Sequence, residues 1–194
     1  MRPLEAISLL QIGAVSSTND EAKTRALQKP EHGLMLIAES QTGGRGSNNR
    51  HWVSESGNLF ASLLLAPDIA HAEAQNFVKM AGLSVIDLLR MYALEPCLKA
   101  PNDVLVNGKK ICGILVETVT KGSTPPAVIV GIGLNVASSP EILEYPTTSL
   151  AAEGKMVPLE KLRTFLAEHL RLRYESWRLN GFNLIEKEYH AACD

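Results

Sequence analysis

Apolar positions change period along this chain. LMLIAES at 34–40 and NLFASLLLAP at 58–67 are unbroken apolar runs of strand length and predict two buried strands. AVIVGIGLNV at 127–136 predicts a third, with glycines where another backbone or a ligand comes close. Between these runs, Ala72, Phe77, Met80, Ala81, Leu83, Val85, Ile86, Leu88 and Leu89 recur at near-helical spacing. They predict a long buried helix over 71–93. VLV, then Asn107-Gly108, then KKICGILVE predict a hairpin, because Asn-Gly supplies the two positive-φ residues of a type I′ turn. Pro101 places a loop or an edge just before it. Ser16-Ser17-Thr18-Asn19-Asp20 ahead of EAKTRALQK predicts a capped helix from near Asn19, ended by Pro30 and Gly33. Residues 158–179 predict an amphipathic helix that opens with Pro158, closes at Asn180-Gly181 and leads into a short helical tail. KGSTPP and SSPEILEYPTTSL read as loops. Strands and hairpins in the middle, with helices interleaved and at the end, predict an α+β fold. Its sheet is mixed and largely antiparallel, with flanking helices.

Length and charge narrow the function classes. The 194 residues suit one good-sized core. A formal net charge of −2 argues against a general nucleic-acid binder, though not against a local basic site. Cys97, Cys112 and Cys193 are far apart and odd in number, so they support neither a disulfide framework nor a zinc knuckle. The reading is a cytoplasmic, soluble protein: MRPLEAISLLQIGAV is too short and interrupted for a signal peptide, and no apolar stretch is long enough to span a bilayer. His32, His51, His71, His169 and His190 show no metal-ligand spacing, so no protein-held metal is expected. Gly131-Ile132-Gly133 lacks the third glycine of a dinucleotide fingerprint and reads as close packing.

Three stretches carry candidate chemistry. The first is QTGGRGSNNRHW at 41–52, which interrupts two apolar runs. Gly43, Gly44 and Gly46 can expose backbone N–H groups to an anion or a carbonyl. Arg45 and Arg50 add cationic forks, and Trp52 adds a flat face. A solvated loop with a tryptophan in the core explains the same residues equally well. The second is Lys99-Ala100-Pro101-Asn102-Asp103 followed by Lys109-Lys110. The hairpin brings Lys110 back towards Asn102 and Asp103, to hold an anion or simply to form a surface pair. The third is Ser17-Thr18-Asn19, which is in any case a helix cap.

Taken in order, these stretches resemble the catalytic domain of biotin–protein ligases. The resemblance rests on STN at 17–19, QTGGRG at 41–46, RHW at 50–52, GNL at 57–59, KAPND at 99–103, KKICGILVE at 109–117 and GIGLN at 131–135. It covers most of residues 10–137; residues 138–194 match only in being helical. It implies a fold similar to class II aminoacyl-tRNA synthetases and a two-step reaction. Biotin and MgATP give biotinyl-5′-AMP, and a lysine of a biotin carboxyl carrier protein then takes the biotinyl group. By resemblance Lys110, Arg45 and Asp103 are catalytic. Ser17, Thr18, Asn19, Gln41, Gly44, Arg45, Gly46, Lys110 and Gly113 bind biotin. Arg45, Arg50, Trp52, Asn102, Lys110 and Asn135 hold ATP and the adenylate, with Mg2+ accompanying the phosphates.

The departures are specific. Ser47 stands where the family loop usually has an arginine, and Asn49 where it has a glycine, although Asn can adopt positive φ. The lost guanidinium implies weaker retention of the adenylate. Ala100 replaces the tryptophan of the family's Lys-Trp-Pro-Asn-Asp, which reshapes the pocket and keeps a lipoate– or octanoate–protein ligase as an alternative. A non-catalytic biotin or nucleotide binder is the other. The expected organisation is one catalytic domain over 1–194, with no winged helix before it and no small β-barrel evident after it. That excludes operator DNA and a membrane as partners and leaves a homodimer through exposed strand edges open.

Overall fold

The computed structural model describes residues 1–194 apart from Pro30, Ser123, Thr124, Leu143 and Asp194, together with the side chain of Asn49. Seven strands form one sheet: β1 (Ser8–Val15), β2 (Leu34–Gln41), β3 (Leu59–Leu65), β4 (Pro96–Lys99), β5 (Asp103–Val106), β6 (Lys109–Val119) and β7 (Ala127–Leu134). Their spatial order is β1-β2-β3-β7-β6-β5-β4. β1 runs parallel to β2, and every other pairing is antiparallel. The helices are α1 (Thr18–Gln28), α2 (Asn76–Arg90), α3 (Leu159–Asn180) and α4 (Phe182–Ala192). The mixed, largely antiparallel sheet with flanking helices is the architecture the sequence predicts. None of the helices is long and apolar enough to cross a membrane among the described residues.

The two faces of the sheet are unequal. Side chains alternate across a strand. On one face Met35, Ile37, Leu63, Leu65, Val116, Val128, Val130 and Leu134 pack with α2, α3 and α4 in the main core. Each such side chain, fully buried, contributes roughly 1.5–3 kcal/mol. Leu36, Leu64 and Ile129 face the other way and pack with Ala22 and Ala26 of α1 in a small second core. Continuing along that face, the register brings Ser62, Gly113, Leu115, Glu117, Gly131 and Gly133 to the same side. Small and polar residues there leave a hollow beside the N-terminus of α1.

Local signals explain most elements. Asn107 and Gly108 have φ of 52° and 70°, as the type I′ turn requires. Asp103 pairs with Gly113 and Leu105 with Lys110, with an irregularity between Val104 and Leu105. α3 opens after Pro158 and closes at Gly181, whose φ is 82°. Three expectations are corrected. The helix expected over 71–93 is shorter: His71–Glu73 is a 3-10 turn in which the Glu73 carboxylate accepts the Ala70 N–H, and α2 starts at Asn76. Ser17 sits at the N-cap of α1 but makes no side-chain cap bond. β1 was not expected at all; it is an edge strand with mostly exposed or half-buried side chains, so its apolar pattern is weak. The helix-ending role expected of Pro30 lies outside the described residues; α1 closes at Gln28, where Lys29 N–H donates to Arg25 C=O (2.9 Å).

Candidate active site

The N-terminus of α1, the end of β2, the 42–58 loop and the starts of β5 and β6 enclose a cavity of about 450 Å³. Ser17, Thr18, Asn19, Gln41, Arg45, Gly46, Arg50, Trp52, Asn102, Asp103, Lys110 and Gly113 all line it. Twelve of the fourteen residues expected at a site therefore surround one space. Gly44 and Asn135 do not line it.

One wall is a connected polar network. Thr18 N–H donates to Gln41 Oε1 (2.8 Å), and Thr18 Oγ1 lies 3.1 Å from the same oxygen. Gln41 Nε2 donates to Ser54 Oγ (3.0 Å). Ser62, fully buried on β3, has its Oγ 2.7 Å from Thr18 Oγ1 and 2.5 Å from Asn19 Oδ1. Asn19 Nδ2 donates to Glu117 Oε2 (2.7 Å). Glu117 also accepts from Lys23 Nζ (2.6 Å). Burial pushes the Glu117 carboxyl up, but hydrogen bonds from Lys23 and Asn19 and the charges of Lys23 and Arg45 outweigh it, and its pKa is lowered.

Arg45 lines the cavity and is held by two carboxylates. Its two terminal nitrogens donate to the two oxygens of Asp20 at 2.7 and 2.5 Å, and one also reaches Glu117 at 3.4 Å. The bond from Arg45 lowers the Asp20 carboxyl against the effect of its burial. The guanidinium thus ties the loop to α1 and β6, and Arg50 is the more exposed loop cation.

The glycine loop is folded. Thr42 and Gly43 N–H donate to Val15 and Ser16 C=O, and Trp52 N–H donates to Gly44 C=O (2.9 Å). Arg45 and His51 form an antiparallel bridge around a 3-10 turn at Ser47–Asn49. The left-handed position in this turn is Asn48, φ 56°, one residue before the asparagine that replaces the family glycine. Gly44 is needed because a Cβ there would lie 2.5 Å from Ser54 Oγ and 2.7 Å from Trp52 O. Trp52 lies across β6 and β7: a Cβ at Gly133 would fall 2.5 Å from its Cε2, and one at Gly113 2.8 Å from its Cζ3. A Cβ at Gly131 would strike Asn19 at 2.4 Å. The Gly131-Ile132-Gly133 stretch is therefore close packing, as its sequence indicates, and what approaches Gly113 is the Trp52 ring. Trp52 Nε1–H is buried and has no partner among the described residues.

Lys110 is the second residue of β6 and is pinned by backbone bonds to Pro146 and Thr148 (both 2.9 Å). Its Nζ lies 2.7 Å from Asp103 Oδ1, 5.2 Å from the centre of the Trp52 ring and 5.3 Å from that of Tyr145. A cation so enclosed is oriented for an anion arriving in the cavity. Asn102 is tied to the hairpin, since its Nδ2 donates to Ile114 C=O (2.7 Å) and its own C=O accepts Ile114 N–H (2.9 Å). Asn135 is buried, donates from Nδ2 to Thr148 C=O (3.0 Å), and faces a small recess shared with His51, Trp52, Lys110, Ile142 and Tyr145. Cys112 is buried, and burial pushes its thiol up, away from nucleophilic use.

Sequence reading missed Ser62, Glu117, Asp20 and Tyr145. Ser62 is a single polar residue inside an apolar run and gives no signal. Glu117 stands inside KKICGILVE, and its place opposite α1 could be found by counting two-residue steps from Gly113.

Comparison with known proteins places the fold in a family. The model of the biotin/lipoate A/B protein ligase family matches residues 12–135. The bifunctional ligase/repressor BirA of Bacillus subtilis is 32% identical over 185 residues, which is 92% of this chain and 57% of that protein. The biotin–[acetyl-CoA-carboxylase] ligase of Mycobacterium tuberculosis is 33% identical over 188 residues, 93% of this chain and 68% of that protein. The chain thus spans little more than half the length of the first of these relatives. The structure of the biotin protein ligase of Aquifex aeolicus in complex with biotin and ATP superimposes with a TM-score of 0.82 at 27% identity, over 96% of this chain and 78% of that one. With the match extending from β1 to the end of β7 and the site residues gathered around one cavity, the chain belongs to the biotin/lipoate A/B protein ligase family.

Proposed function

We propose that the chain is a biotin–protein ligase. In the first step a biotin carboxylate oxygen attacks the α-phosphorus of MgATP, the bond to the β-phosphate breaks, and pyrophosphate leaves. In the second the amine of a carrier lysine attacks the acyl carbon of biotinyl-5′-AMP. The bond to AMP breaks, and the amine loses its proton. The observation that carries this reading is Lys110. Its ammonium lies 2.7 Å from Asp103, in a cavity that the Thr18–Gln41 polar cradle also lines. A carboxylate and an α-phosphate are two anions, and a fixed cation between them lowers the cost of bringing them together.

The other roles follow. Ser17, Thr18, Gln41 and the Gly44–Gly46 backbone take the ureido ring. Trp52 and the recess bounded by Asn135 and Tyr145 take the adenine side. Arg50 faces the phosphates, while Arg45 fixes the loop. Asp103 orients Lys110 and receives the carrier amine. In this reading Mg2+ arrives with the nucleotide phosphates. The folded loop shields the mixed anhydride from water. The carrier domain of a biotin-dependent carboxylase is the acceptor, in the cytosol. A second copy would pair at β1, since the other edge strand, β4, is bridged at Leu98 by Cys193.

The test is exchange of labelled pyrophosphate into ATP with biotin, lipoate or octanoate. Exchange with biotin alone, reduced roughly 10²-fold or more in Lys110→Ala, is expected. Exchange with lipoate or octanoate instead would make Ala100 the mark of a different pocket. No exchange with any acid would overturn the reading.

A further inference from the structure

Four oxygens in the polar wall share too few protons. Ser62 Oγ is 2.5 Å from Asn19 Oδ1 and 2.7 Å from Thr18 Oγ1, and Thr18 Oγ1 is 3.1 Å from Gln41 Oε1. Ser62 and Thr18 each carry one hydroxyl proton, so three contacts have two protons between them. The orientation of both amides is fixed from outside. Asn19 Nδ2 faces the Glu117 carboxylate at 2.7 Å and Leu115 C=O at 3.4 Å, both acceptors, so Asn19 turns its oxygen to Ser62. Gln41 Oε1 accepts Thr18 N–H at 2.8 Å, so Gln41 turns its oxygen to Thr18. The two shorter contacts need a proton each, since two oxygens at 2.5 or 2.7 Å without one repel. The Ser62 proton therefore lies towards Asn19 and the Thr18 proton towards Ser62, leaving the 3.1 Å contact without one. Thr18 Oγ1 and Gln41 Oε1 then stand side by side as two acceptors in residues that line the cavity.

We propose that Ser62 and Glu117 are positioning residues that set this proton order and so make the site select a ligand presenting N–H at Thr18 and Gln41. Glu117 acts by fixing the orientation of Asn19; Ser62 draws the Thr18 proton away from the cavity. A single ligand N–H between the two oxygens relieves their repulsion. A cyclic urea such as that of biotin has such donors, whereas the aliphatic and dithiolane ends of octanoate and lipoate have none. The proposal rests on the ligase reading for its ligand and adds the source of its selectivity. Neither Ser62 nor Glu117 lines the cavity, so neither touches the bound acid.

The test is calorimetric binding of biotin and of the two analogues in which one or the other ureido N–H is replaced by oxygen. The wild type is expected to favour biotin over at least one analogue by tenfold or more, because the oxygen would face two acceptors. In Ser62→Ala the Thr18 hydroxyl is released to donate, and this preference is expected to fall by about tenfold. Thr18→Val keeps the side-chain shape, removes the acceptor, and is expected to lower the preference as well. Ser62→Ala added to Thr18→Val should change it no further. The preference is a ratio within one protein, so a general loss of stability does not move it. An unchanged ratio in Ser62→Ala or in Thr18→Val, with biotin still bound, overturns the proposal. Failure of the wild type to bind biotin at all overturns the ligase reading itself.

Discussion

Two carboxylates, Asp20 and Glu117, hold one arginine, and the consequence is acid sensitivity. Both carboxyls lie below their ordinary values of 3.8 and 4.5. A lowered folded pKa adds stability that is complete above the unfolded value and lost as pH falls through the folded one. Thermal melts of the wild type and Glu117→Gln should differ at neutral pH and converge as pH is taken below 4.5, since the variant has no carboxylate to neutralise there. Parallel curves down to acid pH would show that Glu117 contributes nothing through its charge. Ser47 offers a second residue-scale prediction. It lines the cavity at the position where the resemblance leads one to expect an arginine. Ser47→Arg should release less free biotinyl-5′-AMP than the wild type when filtrates of a carrier-free reaction are assayed. Equal release would show that the arginine plays no part in retention.

At the scale of elements, the site depends on strands too thin to fill their own face. Gly113 of β6 and Gly133 of β7 give Trp52 its bed. Gly133→Ala would put a methyl carbon 2.5 Å from Trp52 Cε2 and displace the ring. The expected cost is about 1–3 kcal/mol in chemical unfolding, as for other overpacked positions. A raised KM for ATP should accompany it, with a smaller change for biotin. Gly13→Ala on β1, where a Cβ would meet nothing within 4 Å, is the control and should leave both KM values unchanged. Legibility followed the same physics. The β5–β6 hairpin could be read because Asn107-Gly108 is a strong local signal, and β2, β3 and β7 because burial on both faces makes their runs continuous. β1 could not, because an edge strand half in water needs no such run. The start of α2 was misplaced because apolar spacing continues through a turn closed by Glu73.

For the whole molecule, the inequality of the sheet's two faces explains where the site is. Helices α2, α3 and α4 cover one face with a continuous core, while α1 covers only part of the other. The motifs named most of the residues around the resulting cavity, because they are clustered in loops and turns with distinctive composition. They did not reveal that Arg45 is spent on carboxylates or that Ser62 lies behind Thr18. Those facts come from strands far apart in sequence meeting at one register. In the proposed reaction this cavity joins biotin to a carrier lysine through an adenylate. Its most direct measurement is intact mass spectrometry of a purified biotin carboxyl carrier domain incubated with the chain, biotin and MgATP, with pyrophosphate assayed in the same tube. One biotinyl group on the carrier's acceptor lysine and one pyrophosphate per group transferred are expected, both lost without ATP. A carrier that stays unmodified, with no pyrophosphate released, would contradict it.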